Sequence, residues 1–318
     1  MDAYINSNVT IVIPNFNNRN LLENLLLSLK NVIDYSNIII VDNNSSDDSI
    51  NFIKNNYPDI KLIENDENKG FAYAVNQGIL LVPTDFVFLL NNDTVVEKDT
   101  IFHLLKTIST SDDIFSVSSK MIQYHNKELI DDVGDEYTIF GWSKRRGYGK
   151  SVESYIEDEE VFSACAGAAL YRMSVFDEIG LFDENFESYV EDMDISFRAR
   201  LHGFKSFYSA KSIVYHYGSA STGSRYNSFK VRISARNNIY LIYKNMSFWM
   251  KIVNCIFLII GFFIKYLFFR HKGFGSEYYS GLREGLRTCN KLTKTSSSFK
   301  HSFKTELLMI KNTLTYLK

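Results

Sequence analysis

The chain has 318 residues, 45% of them hydrophobic, and a formal net charge of -2. That length supports one sizeable core with an appendage, and the near-neutral charge argues against a nucleic-acid partner, which usually meets an excess of Lys and Arg. Three widely spaced cysteines, Cys165, Cys255 and Cys289, fit neither a disulfide framework nor a zinc-ligand pattern and suit a reducing compartment.

The first ten residues carry no basic start and no apolar run, so no signal peptide is read there. Short apolar runs follow at Val9 to Ile13, Ile38 to Val41, Ile60 to Ile63 and Phe86 to Leu90. Their β-branched and aromatic content and unbroken hydrophobicity predict strands buried on both faces. Helical patterns separate them. Leu21, Leu22, Leu25, Leu26 and Leu29 share one face, and Ile50 and Ile53 belong to a second helix that Ser46 or Asp47 caps. This alternation predicts an α/β fold with a mainly parallel sheet flanked by helices.

Polar clusters follow the strands: Pro14, Asn15 and Asn17 after the first, Asp42, Asn43 and Asn44 after the second, Asn91, Asn92 and Asp93 after the fourth. Open α/β sheets bind ligands at the carboxyl ends of their strands, so a nucleotide pocket is expected there. Asp93 either holds a divalent cation on a diphosphate or turns the chain, and spacing does not separate the two. Asp42 alone reads better as a turn residue. Lys69-Gly70 precedes a helical pattern, where glycine admits unusual dihedrals or a close approach. Between Phe115 and Ile156 the pattern is harder to read, although Lys144-Arg145-Arg146 stands out as basic. Further on, Met193, Phe197 and Leu201 predict one face of a helix from about Asp192 to His202. Glu191, Asp192 and Asp194 open it. Acidic residues suit a helix start for dipole reasons alone, and adjacent carboxylates also raise each other's pKa toward general-base duty; Asp194 reads as structural. His216 is either a packed residue or a metal ligand, and Arg225, Arg232 and Arg236 are either solvated or phosphate-binding.

Together VTIVIPNFNN, IIIVDNNSSDDS, ENKGFAYAVNQGI, FVFLLNNDT, the long stretch from Gly167 to Phe204 and VYHYGSAS resemble family-2 glycosyltransferases, particularly their rhamnosyltransferase-like branch, over residues 8 to 240. The resemblance implies a GT-A fold, Rossmann-like, and inverting transfer from a nucleoside-diphosphate sugar (UDP or dTDP left open) to a glycan or lipid-linked acceptor in cell-surface polysaccharide synthesis. It implies that Pro14, Asn15 and Asp42 line the base and ribose pocket, with Lys69, Gly70 and Asn76 completing that side. It also implies Mg2+ or Mn2+ on Asp93, with His216 nearby, and Asp192 as catalytic base helped by Glu191. The family's Asp-x-Asp reads Asn91-Asn92-Asp93 here, leaving Asn91 for the ribose and Asp93 as the motif's one carboxylate. A nicotinamide-dependent oxidoreductase would need a glycine-rich turn after the first strand, and Pro14-Asn15-Phe16-Asn17-Asn18 has none. A catalytically inactive sugar-nucleotide or glycan-binding subunit is the other alternative.

The expected division is a catalytic domain over 1–240 and a helical, membrane-associating tail over 241–318. Phe248 to Phe269 is strongly apolar, but the unbroken stretch between Lys251 and Lys265 is about a dozen residues, short of the roughly twenty a span needs. The tail is therefore expected to attach to the inner face of the cell membrane without crossing, with Lys251 and Lys265 reaching the headgroups and Arg270, His271 and Lys272 meeting anionic lipid.

Overall fold

The computed structural model describes residues 2–218 and 226–317, so Arg225 and the last three residues of VYHYGSAS lie outside the described residues. The first half contains α1 (Asp2–Asn8), β1 (Val9–Asn15), α2 (Arg19–Leu29), β2 (Ile38–Asp42), α3 (Ser49–Asn56), β3 (Lys61–Glu64), α4 (Phe71–Ile79), β4 (Phe86–Leu90), β5 (Thr94–Val96), α5 (Thr100–Ile108) and β6 (Ile114–Gln123). Then come β7 (Ile130–Asp132), β8 (Asp135–Tyr137), β9 (Ser143–Arg145), β10 (Glu159–Val161), β11 (Ala168–Arg172), α6 (Met173–Ile179), α7 (Glu191–His202) and β12 (Lys205–His216). Four helices close the chain: α8 (Ser228–Asn245), α9 (Phe248–His271), α10 (Gly275–Thr288) and α11 (Phe299–Leu317).

The main sheet runs β10-β12-β6-β11-β4-β1-β2-β3. Its β3-β2-β1-β4 half is parallel, as expected. The other half is not: β11 enters antiparallel between β4 and β6, and β12 then runs parallel to β6. The sheet is therefore mixed, because the chain passes from β4 to β6 and returns to fill the gap with β11. Every residue of β2 and β4 is buried, as strands covered on both faces require. One core packs α2 and α5 beneath the sheet and a second packs α4, α6 and α7 above it. Asp47 accepts from the Ser49 backbone N–H at 3.1 Å and so caps α3 from two residues ahead of it, one position before the N-cap residue Asp48.

A third core unites the sheet-bearing part with the C-terminal helices: Tyr137, Phe162 and Phe197 meet Tyr240, Met250, Leu258 and Met309. The boundary expected near residue 240 falls inside the continuous α8. The segment expected to be weakly helical forms α10 and α11. In α9, Met250, Asn254, Leu258 and Gly261 are buried along one stripe. A Cβ on Gly261 would stand 2.2 Å from the Phe140 carbonyl oxygen, and Trp142 Nε1 donates to the Gly261 carbonyl at 3.0 Å. Helix α9 thus lies along the sheet-bearing part instead of leaving it. The opposite face, including Phe248, Ile252, Ile256, Ile259 and Phe263, is exposed. Helix α11 is turned the same way round. It buries Ser302, Thr305, Glu306, Asn312 and Thr313 while exposing Phe299, Phe303, Leu307, Ile310 and Leu314. Asn254 ties the two helices by donating to the Glu306 carboxylate at 2.9 Å.

Candidate active site

A cavity of about 1100 Å³ opens at the carboxyl ends of β1 and β4. Of the residues expected at the ligand, Pro14, Asn15, Lys69, Gly70, Asn91, Asp93, Glu191, Asp192 and His216 line it. Asp42 and Asn76 are outside that lining and sit behind it. Asp42 is fully buried; its carboxylate accepts from Asn15 Nδ2 at 2.7 Å, Ser45 N at 2.8 Å and Ser45 Oγ at 2.6 Å. Asn15 is itself engaged, since its Oδ1 accepts from Asn92 Nδ2 at 2.8 Å. These side chains knit three strand ends into one rim. Asn76 bridges α4 to the loop after α6, donating to the Phe182 carbonyl at 2.8 Å and accepting from Phe182 N at 3.0 Å.

Gly70 has φ +89°, and a Cβ there would stand 2.7 Å from the Glu187 carbonyl oxygen. The close approach is to another backbone segment, so Gly70 lets the α4 turn lie against the loop that leads to Asp192. The Ala72 backbone N–H donates to that same carbonyl at 3.0 Å. Lys69 is half-exposed and pairs with Glu67 at 3.2 Å.

On the far wall, Asp93 Oδ1 is 3.4 Å from His216 Nε2, and His216 Nδ1 is 2.8 Å from Asp131 Oδ2. Burial alone would lower the His216 pKa, but hydrogen bonds to Asp131 and Asp93 outweigh it and push it up to about 9. The 3.4 Å separation is close to the roughly 3 Å between neighbouring ligands of one octahedral ion with bonds of about 2.1 Å. A carboxylate on the other imidazole nitrogen is the usual outer partner of a metal-ligating His. Among the described residues no group of three or more acidic, His or Cys side chains makes a ready cage. The pair offers one carboxylate and one imidazole that a cation could share.

Asp192 lines the same cavity from the first turn of α7. Its Oδ1 accepts from the Met193 N–H at 2.7 Å. Burial raises its pKa, and hydrogen bonds from the backbone of Met193 and Ala166 and the charge of Arg145 act against this. Burial thus takes the leading part assigned to Glu191 from sequence. Glu191 is raised well above the usual carboxylate range, by burial first and Asp192 second, and its Oε2 is buried without a hydrogen-bond partner. Asp194 is structural, as expected: fully buried, it accepts from Arg198 at 3.0 Å, Lys244 at 2.9 Å and Asn245 at 2.7 Å.

Sequence reading missed the cavity floor. Asp132 and Asp135 face Asp192 there, Asp132 pushed up to about 7 and Asp135 well above the usual range, burial being the first cause for both. Arg145 sits among them, 3.1 Å from Asp131 and 3.7 Å from Asp132. The signal that was present is three Asp residues within five positions, in a stretch without periodicity.

The backbone before Asp192 is also unusual. Glu187, Tyr189 and Val190 have φ of 60°, 68° and 73°, and a positive φ is costly for a β-branched residue such as Val. Asn237 holds the turn, its Nδ2 donating to the carbonyls of Phe186 at 2.7 Å, Ser188 at 3.0 Å and Tyr189 at 2.7 Å. Arg236 is buried and pairs with Glu187 at 2.8 Å. Arg232 pairs with Glu284 at 2.6 Å. Arg236 is thus buried and committed to the loop, whereas Arg232 pairs with α10 at a partly exposed position.

The glycosyl transferase family 2 model matches residues 10–180, more than half of the chain. The protein belongs to that family. It is 25% identical over 209 residues to a poly-β-1,6-N-acetyl-D-glucosamine synthase of Staphylococcus aureus, an alignment covering 63% of this chain and 47% of that protein. The glycosyltransferase therefore spans about half the length of that relative. Its fold is that of GalNAc-T7, solved with UDP, GalNAc and Mn2+ (TM-score 0.60, 15% identity, 74% of this chain and 47% of the other). It is also that of the Pyrobaculum calidifontis mannosyltransferase PcManGT, solved with GDP-Man and Mn2+ (TM-score 0.55, 13% identity, 99% and 84%).

Proposed function

We propose that this glycosyltransferase moves a sugar, with inversion, from a nucleoside-diphosphate donor to a hydroxyl of a glycan or lipid-linked acceptor during surface-polysaccharide synthesis. One observation carries the reading: Asp192 and the Asp93–His216 pair face one cavity from separate chain segments. A single displacement needs that division. The acceptor oxygen bonds to the anomeric carbon on one side, the bond to the nucleotide oxygen breaks on the other, and configuration inverts.

In this reading Asp192 takes the proton that the acceptor hydroxyl gives up, and burial, which raises its pKa, makes it a stronger base. Pro14, Asn15, Lys69, Gly70 and Asn91 border the nucleotide, while Asp42 and Asn76 act at one remove by fixing the rim. Asp93 and His216 would hold a divalent cation, which when bound offsets the charge that develops on the departing diphosphate. The synthase relative supports a polymer product. The donor structures of the two neighbours support a nucleotide sugar with Mn2+. Rhamnose as the sugar rests on the sequence resemblance alone.

The outward apolar stripes of α9 and α11 support attachment to a membrane surface. Helix α9 has 24 residues, about 36 Å, and is long and apolar enough to cross a bilayer. Its contacts with Phe140 and Trp142 at mid-length hold it against the catalytic half, which favours lying in the plane.

The test is a panel of nucleotide sugars with Mn2+, read by nucleoside-diphosphate release, with the product anomer read by NMR. We expect one donor to turn over with inversion, EDTA to abolish turnover, and Asp93→Ala to match EDTA. Full turnover in EDTA removes the cation, a retained anomeric configuration removes the single displacement, and donor binding without turnover favours the inactive subunit.

A further inference from the structure

A second cavity, of about 910 Å³, adjoins the first beside His216 and Asp131. That is the upper part of the size range of small-molecule sites. Residues of α9 form part of its wall. Lys265, expected from sequence to reach outward to lipid headgroups, lines both cavities instead. Lys251 also turns back, donating to the Tyr243 carbonyl at 2.8 Å. Neither lysine frames the outer apolar face.

The fixed charges of this cavity are answered within the protein. Arg145 pairs with Asp131 at 3.1 Å and Asp132 at 3.7 Å, and Lys144 stands 4.0 Å from Glu136. Asp131 also meets His216 at 2.8 Å, and Lys230 is engaged as well. The same cations lie over aromatic rings, Lys144 4.6 Å from the centre of Tyr316 and Arg145 5.4 Å from that of Tyr148. What is left for a ligand is aromatic surface, hydroxyl groups and the Lys265 amine where the two cavities meet.

Aromatic rings dominate the lining: Tyr124, Trp142, Tyr148, Tyr217, Phe269 and Tyr316 all belong to it. Tyr124 and Tyr217 stack with centres 3.8 Å apart. Their backbone N–H groups donate to the His216 carbonyl at 2.9 Å and the Asp93 carbonyl at 3.0 Å, which ties this pair of rings to the strand ends of the first cavity. Trp142 stacks on Phe140 at 5.1 Å, and Tyr316 meets it edge-on at 5.6 Å. Tyr148 and Tyr316 are 44% and 42% exposed. A sugar ring carries C–H groups on its faces and hydroxyls at its rim. Rigid side chains that are apolar in the body and polar at the tip, Tyr and Trp above all, match that pattern at low conformational cost.

We propose that the second cavity holds the saccharide chain of the acceptor, with the unit that carries the reacting hydroxyl reaching into the first cavity toward Asp192. This rests on the glycosyltransferase reading and names the acceptor class for it: a neutral oligosaccharide of two or more units, whatever its far end is attached to. A hydrocarbon chain in the cavity would leave tyrosine hydroxyls and the Lys265 amine against apolar groups. A nucleobase also stacks on aromatic rings, but neither Asn15 nor Lys69, which border the first cavity, lines the second.

Monosaccharides and linear tetrasaccharides of N-acetylglucosamine, glucose, galactose and rhamnose serve as probes, titrated by calorimetry into the full chain with and without UDP or dTDP and Mn2+. Farnesol is the competitor. One tetrasaccharide is expected to bind about tenfold or more tightly than its own monosaccharide and to keep that affinity when nucleotide fills the first cavity. Tyr124→Ala and Tyr316→Ala, in separate chain segments, should each weaken it by about fivefold or more while nucleotide affinity stays unchanged. If one variant does not fold, the other carries the test. Tetrasaccharides that bind no better than monosaccharides, or not at all, overturn the inference. So does indifference to both substitutions. Displacement by farnesol would make the cavity a lipid slot, and displacement by nucleotide would make it part of the donor site; either overturns it too. If no nucleoside diphosphate binds, the functional reading falls by itself, and the saccharide titrations still decide what the second cavity takes.

Discussion

Asp192 and Glu191 stand side by side in one turn, yet their surroundings assign them different parts. Asp192 accepts from backbone N–H groups, which keep an ionised form accessible. Glu191 has an orphaned oxygen and burial that favours its neutral form. Asp192→Asn keeps the shape and removes the proton acceptor, so kcat should fall by about a hundredfold or more with donor affinity nearly unchanged. Lost donor binding would move Asp192 to the nucleotide site instead. For Glu191 the sign follows from linkage. Its folded pKa lies above the unfolded value of about 4.3, so folding takes up a proton above that pH, and wild-type stability declines as pH rises from there toward the folded pKa. Glu191→Gln removes that decline. Chemical denaturation of both proteins should give similar stabilities near pH 4 and a more stable variant at pH 8. A variant that is less stable at pH 8 would mean Glu191 is ionised in the fold.

At the scale of elements, α8 governs the turn that delivers Asp192. Three successive contacts from Asn237 hold backbone that three positive-φ residues make costly. Asn237→Ala takes the side-chain donor from the Ser188 and Tyr189 carbonyls, at about 1–3 kcal/mol for a buried orphan, while the Phe186 carbonyl keeps the Ser188 N–H and Arg236. We expect a lower melting temperature together with a kcat loss near tenfold and a smaller change in donor affinity, since the nucleotide rim is built from other strands. A variant that lost stability with an unchanged kcat would show that the turn does not position the base.

The same elements show what a single sequence reveals. β1, β2 and β4 were legible because strands buried on both faces are apolar without interruption. The face Met193, Phe197, Leu201 was legible because it repeats at helical spacing, and Asp192 followed from it. Asp42 and Asn76 were placed at the ligand because residues that touch a nucleotide and residues that tie loops together are the same polar types at the same strand ends. Asp131, Asp132 and Asp135 lay in short strands of three residues, too brief to show a period. The direction of Lys265 was illegible for another reason: on a helix with lipid-like residues all round, sequence gives no sign of which side meets protein.

For the whole molecule, α11 is the informative helix, because Phe299, Phe303, Leu307, Ile310 and Leu314 face out, interspersed with Lys300, Lys304 and Lys311, while only Met309 among its large apolar residues is fully buried. That exposed row extends the outward face of α9 across a second helix. We expect the full chain to float with vesicles containing anionic lipid, and Phe303→Asp with Leu307→Asp to weaken flotation while leaving nucleotide binding intact. If the wild-type protein forms a dimer and ignores vesicles, those faces cover each other instead.

In the proposed attachment, an enzyme held flat on a bilayer by two helices meets its partners under a different kinetic law. The distance between Asp192, the proposed base, and the lipid plane would then be fixed by the lengths and angles of α9 and α11, so an acceptor anchored in that plane would need no search in depth. Encounter then depends on how many acceptor molecules share each patch of surface, and hardly on how much vesicle suspension fills the tube. Diluting the acceptor with inert lipid at constant bulk concentration should slow turnover, whereas diluting the suspension with buffer should leave the bound enzyme's rate unchanged. The reverse pattern would belong to an enzyme that draws its acceptor from solution.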